Sequence, residues 1–154
     1  MNHSAVSTQV GSAGLRFRLA DLIARVGRFP LSIHQLLFRL AIAGVFLRAG
    51  LTKITSWEST VALFADEYKV PVLAPHLAAA MAASFEVGCS VLLLFGLGTR
   101  VAALPLIGMI MTIQLFVYPQ AWSEHLVWGS ILLVLVTRGG GAISLDRLIT
   151  GRAE

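Results

Sequence analysis

The side chains of this sequence that could carry chemistry are polar residues set into long apolar runs: Arg39, Lys53, Glu86, Gln114 and His125. An ionisable group in such a run is costly unless it meets protein or water, so it commonly marks a ligand site, a proton site or a fixed ion pair. Glu86 lies nearest the middle of its run, and a carboxylate side chain is too short to reach water from there. It must be protonated, paired with a cation, or set in a wet cavity. Arg39, Phe46 and Lys53 recur every seven residues and share one stripe of a helix, whereas Arg48 lies about half a turn away from Arg39. The first stripe is expected to face the interior, with Arg48 extending to headgroups. At 1.5 Å per residue, Arg39 and Lys53 stand about 21 Å apart, so Glu86 cannot bond both. Gln114 and His125 fall at the depth of Lys53. Together these residues outline a polar interior weighted toward one side, read either as a ligand or proton site or as a structural pair that fixes helix register.

Other chemistries find less support. The lone Cys89 excludes an internal disulfide or a CxxC pair and is expected to pack as a small buried residue. No nucleophile–base pair is visible, so no residue is assigned as catalytic and the chain is not expected to be an enzyme on its own. His76 and His125 could ligate a b-type haem only if their rings converged, and nothing in their spacing fixes this; haem is disfavoured and no metal site is assigned. Gly96-Leu97-Gly98 and Gly139-Gly140-Gly141 have no strand before them and no GxxG helix after, so they read as turns rather than nucleotide loops.

The elements that must position these residues follow from composition. Of 154 residues, 56% are hydrophobic and 13% charged, about half the charge that covers a soluble domain. The fold expected is all-α: an integral membrane four-helix bundle with spans near Leu36–Ile54, Leu77–Leu97, Val101–Val117 and Leu126–Thr137. Arg16, Arg18, Arg25, Arg28, Arg100, Arg138, Arg147 and Arg152 fall on one side, which should be cytoplasmic and hold both termini. Trp57, Tyr68, Tyr118, Trp122 and Trp128 gather toward the other, outer side as interface anchors. This split of the basic residues argues against nucleic acid, despite the net charge of +4 and a pI near 10.

Residues 1–33 are read as a disordered tail (1–14) followed by a basic amphipathic helix (15–29) on the membrane surface. Four arginines and Pro30 before the first long apolar run, with no A-x-A site behind it, argue against a cleaved signal peptide. Residues 34–148 form the four-span domain and 149–154 a C-terminal tail. In the first outer loop, Thr55-Ser56-Trp57-Glu58 reads as a capping box opening a short amphipathic helix, with Trp57, Val61, Phe64 and Tyr68 on one face. On span two, Ala80, Ser84 and Gly88 follow a small-xxx-small pattern, thickened by Ala79, Ala82 and Ala83, that would let a neighbouring helix approach closely.

The run Arg39-x4-Gly44-x-Phe46-x3-Gly50-x2-Lys53, then Glu86 before Gly88, Leu97-x-Thr99-Arg100 and Gly139-x-Gly141-x2-Ser144-Leu145-Asp146 resembles the DoxX family of small bacterial four-span membrane proteins. The resemblance covers roughly residues 36–148. It implies a bundle in the bacterial inner membrane, with Arg39, Lys53 and Glu86 as a shared polar site and Asp146 as a cytoplasmic cap. It also implies an association with respiratory or sulfur-redox chemistry, because the related DoxD-type subunits belong to thiosulfate:quinone oxidoreductases. Arg48 and the long basic arm depart from the pattern. The function expected is therefore an accessory subunit of a respiratory, sulfur-redox or stress-response membrane system. Quinone or another small molecule is the candidate ligand, and the lipid bilayer, a redox-complex partner or a second copy are the candidate partners. The alternatives are a small-molecule or proton carrier using Glu86, and a structural anchor or assembly factor without chemistry.

Overall fold

The computed structural model describes residues 18–25 and 27–151, and every regular element among them is helical. Of the N-terminal arm, residues 18–25 form a helix in which Arg25 pairs with Asp21 one turn earlier at 2.7 Å. The expected tail at 1–14, the start of the arm helix and residues 152–154 lie outside the described residues.

Beyond the arm, six α-helices follow: α1 Leu31–Thr55, α2 Trp57–Leu63, α3 Pro75–Phe95, α4 Thr99–Thr112, α5 Trp122–Arg138 and α6 Leu145–Thr150. Four of them feed one core. Ile42, Ala43 and Phe46 of α1 meet Cys89 and Leu93 of α3, Ala102, Ala103, Leu106 and Ile110 of α4, and Leu132 and Leu135 of α5. The opposite faces stay apolar and uncovered, as Leu37, Leu51, Phe95, Leu104, Leu115, Leu126 and Leu133 illustrate. A monomer in water rarely leaves so much apolar surface open. Two stretches, Pro75–Phe95 and Thr99–Val117, are long and apolar enough to cross a membrane, and most of each is not buried by the protein itself. The other two long helices do not reach that standard: α1 carries Arg39, Arg48 and Lys53, and α5 has 17 residues.

The helix ends are set by local chemistry. Pro75 opens α3, where its missing N–H has no bond to lose, and Gly96 closes it with φ +68°. The Leu97 and Gly96 amides bond back to Leu92 and Leu93, so two of the helix's last carbonyls are satisfied. Two helices end in a π-helical turn. Phe64–Tyr68 extends α2 and Ile113–Val117 extends α4, closed by i→i+5 bonds from Lys69 to Phe64 (3.1 Å) and from Tyr118 to Ile113 (2.8 Å).

Two local expectations need correction. A helix does occupy the first long loop, but Thr55 does not cap it. Thr55 ends α1 and turns its hydroxyl onto the Leu51 and Thr52 carbonyls at 3.1 Å, while Ser56 stands at the α2 N-cap without a side-chain cap bond. A threonine at the end of a continuing helix can bond its own preceding turn, and here that local acceptor wins. The small-residue face of α3 is also not the one expected. Ser84 and Gly88 are exposed, and a Cβ on Gly88 would meet nothing. The close approach comes from α1 instead: a Cβ on Gly50 would lie 2.8 Å from both Glu86 Cβ and a Val87 methyl. The buried small residues of α3 are Ala78, Ala79, Ala83 and Ser90, one helical position round from the predicted stripe.

Candidate functional site

The stripe of α1 that carries Arg39, Phe46 and Lys53 faces inward, with Arg39 at 2% and Phe46 at 3% exposure, and Arg48 lies on the exposed side. The two inward cations serve separate sites at opposite ends of the helix.

At the Arg39 end the guanidinium is held by backbone oxygens alone. Nε donates to Leu93 (2.8 Å), Nη2 to Leu94 (3.0 Å), and Nη1 to Gly140 (2.8 Å) and Ile143 (2.7 Å). Leu93 and Leu94 belong to the last turn of α3, at the negative end of the helix dipole, and the Leu93 carbonyl accepts from Arg39 in addition to the Gly96 amide. One turn earlier on α1, Gln35 Nε2 does the same for α5, donating to Arg138 (2.9 Å) and Gly139 (3.2 Å). Asp146 completes the set by accepting from the Gly98 (2.6 Å) and Thr99 (2.9 Å) amides at the start of α4. Glycine is required where the chain crosses this network. A Cβ on Gly96 would fall 2.6 Å from Arg39 Nη1, and one on Gly141 (φ +80°) 2.5 Å from Gln35 Oε1. Arg39 therefore clasps helix ends and does not join the polar group it was expected to share with Lys53 and Glu86.

At the other end Lys53 Nζ reaches both carboxylate oxygens of Glu86 at 2.8 Å. Glu86 is 3% exposed and the Lys53 side chain 19%. Beside the pair lies a cavity of about 540 Å³ whose wall includes Lys53, Glu86, His125, Glu124 and Tyr118, with Phe46, Phe64, Tyr68, Phe85 and Trp128 supplying aromatic surface. Phe46 meets Trp128 edge-on at 6.0 Å, and Phe64 meets Tyr68 at 5.0 Å. Both π-helical turns contribute to the wall, through Phe64 and Tyr68 and through Ile113 and Val117. Such turns widen a helix locally and recur at functional sites. Gln114 does not line the cavity but stands behind it: its Oε1 is 2.6 Å from His125 Nδ1 and its Nε2 donates to the Pro119 carbonyl at 2.9 Å. Four expected residues, Lys53, Glu86, Gln114 and His125, thus converge on one cavity.

Sequence reading missed the contact between Tyr118 and the Phe64–Tyr68 turn at the cavity wall. Tyr118 donates its hydroxyl to Glu67 Oε1 and packs edge-on against Tyr68 at 5.7 Å. The Glu67 carboxylate, with smaller contributions from burial and Tyr68, raises the Tyr118 pKa above the usual phenolic value. The only signal in the sequence was the gathering of aromatics on that side. Gln35 could have been found from its i,i+4 spacing to Arg39. His76 and His125 do not act together: His76 packs edge-on against Trp57 at 5.3 Å, while His125 is tied to Gln114 and leans on Trp128 at 5.8 Å.

A largely apolar cavity with an ion pair and one imidazole in its wall can hold an amphipathic molecule and hydrogen-bond its polar end. No curated protein and no solved structure matches the chain. The model of one family, DoxX, matches residues 34–119. That stretch carries Arg39, Gly50, Lys53 and Glu86, and it spans more than half of the sequence. A match over that much of the chain shows the family, and this protein belongs to the DoxX family of membrane proteins.

Proposed function

We propose that this protein is a four-span bundle of the bacterial inner membrane, with both termini cytoplasmic, that binds a quinone or a similar small amphiphile in the Lys53–Glu86 cavity. In this reading it acts as an accessory subunit of a respiratory, sulfur-redox or stress-response system, with a membrane redox complex or a second copy as partner. The observation that carries the ligand reading is the cavity itself. Its volume of about 540 Å³ falls in the range of small-molecule sites, and its few polar groups lie within aromatic walls. Uncovered apolar faces on all four core helices support the four-span arrangement. The eight arginines on one side of those spans support the orientation.

The test is thermal unfolding of the purified protein in detergent with increasing short-tailed quinone. A saturable rise in Tm is expected for the wild type. Ala49→Phe, which places a ring at a residue lining the cavity, should lose most of that rise. A wild-type Tm that stays flat across benzoquinones, naphthoquinones and their quinols would discard the ligand reading and leave a structural anchor.

A further inference from the structure

The hydrogen-bond polarity of the cavity wall can be read from Gln114. Its Nε2 donates to the Pro119 carbonyl at 2.9 Å, and a carbonyl can only accept. The amide orientation is therefore fixed by chemistry, and Oε1 is the atom 2.6 Å from His125 Nδ1. An oxygen without a hydrogen faces that nitrogen, so the proton between them sits on Nδ1. In the neutral imidazole Nε2 is then a bare acceptor. Among the described residues Nε2 has no hydrogen-bonding partner, although His125 is only 6% exposed and lines the cavity. Lys53 does not supply the missing donor: its ammonium is turned to Glu86, bonding Oε1 and Oε2.

We propose that the occupant of this cavity carries a hydroxyl on an apolar ring or chain, of the phenol or quinol class, and donates it to His125 Nε2, with Gln114 as the positioning residue that holds the ring in this tautomer. The inference rests on the cavity being a ligand site and adds what it selects: a hydroxyl donor over an analogue that can only accept. An acceptor-only ligand would leave Nε2 unsatisfied in a mostly apolar wall, whereas a hydroxyl satisfies it.

Isothermal titration calorimetry of the full-length protein in detergent tests this with a long-chain alkylphenol and its methyl ether, which differ by the donor alone. The phenol should bind about tenfold more tightly, the size expected of one such bond. Under anaerobic conditions a quinol should outrank its quinone in the same sense. Gln114→Leu, which frees the imidazole to change tautomer, should erase most of the preference while retaining binding. Equal affinities for phenol and ether in the wild type would overturn the assignment of His125 while leaving the cavity as a ligand site. Binding of neither probe would remove both.

Discussion

One helix, α1, carries two inward-facing cations fourteen residues apart, and the protein treats them in opposite ways. Around Arg39 the protein closes in: four backbone carbonyls accept from its guanidinium, and Gly96 brings the crossing chain against it. Around Lys53 one partner suffices, and beyond that partner there is a cavity rather than packed protein. The difference follows from what each end must accomplish. At the Arg39 end α3 and α5 end and α4 and α6 begin, and the terminal carbonyls and amides of these helices lack a full set of partners within their own helix. A guanidinium with five donors in a plane satisfies several of these at once, which an ammonium cannot do. At the Lys53 end the group to be answered is a side chain, the buried carboxylate of Glu86 in mid-helix. Burial of a charge therefore does not by itself identify a functional site. What surrounds the buried charge does.

The largest effect expected from this contrast is at Arg39. Arg39→Gln should strip the α3 terminus and the Gly140 and Ile143 carbonyls of their donors, and the loss should be about 3–5 kcal/mol, the range for breaking a buried charged network. Thermal unfolding in detergent reads this directly. Survival of Arg39→Gln with a near wild-type Tm would show that water or lipid headgroups replace the clasp, and the contrast between the two ends would disappear.

Glu86→Gln should cost less, about 1–3 kcal/mol. Glutamine keeps one acceptor toward Lys53, and the ammonium is partly exposed beside the cavity rather than sealed in protein. The variant should remain folded and purify normally, while its Tm response to quinone falls. A loss as large as that of Arg39→Gln would mean that the Lys53–Glu86 pair is a second structural pin and that the cavity beside it is incidental.

How far the sequence foretold these two ends follows from the range of the forces at each. A carboxylate in the middle of an apolar run demands a partner, and the α1 stripe offered Lys53 at a suitable depth, so the residues of that end were legible one by one. The role of Arg39 was not, because its partners are backbone carbonyls, and backbone carbonyls have no sequence signature. The same holds for Gln35 and for the return of the Gly139–Asp146 segment onto the helix ends. The family pattern gave Asp146 as a cap, and the glycines read only as a turn; the reasons for the glycines are the space beside Gln35 and Thr99, and Asp146 caps through its bonds to the Gly98 and Thr99 amides. All-helical architecture and family membership could be read from periodicity and motif order. The capping box at Thr55 and the small-residue stripe at Ala80, Ser84 and Gly88 matched patterns that other groups in the fold outcompete. Neither π-helical turn was foreseen, since each depends on how the wall of the cavity packs and not on any local propensity.

The smallest effect is expected at Arg48, and it sharpens the comparison because all three cations share a helix. Arg48 is exposed and points away from both ends of the inward stripe, nine residues after Arg39 and five before Lys53. Its long aliphatic stem can lie along the apolar face while the guanidinium reaches the headgroup layer, so the charge need not be desolvated. Replacing it by glutamine removes no buried partner, opens no cavity and leaves the Arg39 clasp and the Lys53–Glu86 pair untouched. Arg48→Gln should therefore shift stability by no more than about 0.5 kcal/mol, with quinone response and yield unchanged. The measurement is the same detergent melt, run beside Arg39→Gln and Glu86→Gln so that the three can be ranked on one scale. A destabilisation of Arg48→Gln comparable to that of Glu86→Gln would show that this face of α1 is covered by another protein surface in the membrane rather than by lipid, and co-purification of a partner lost in the variant would identify that surface.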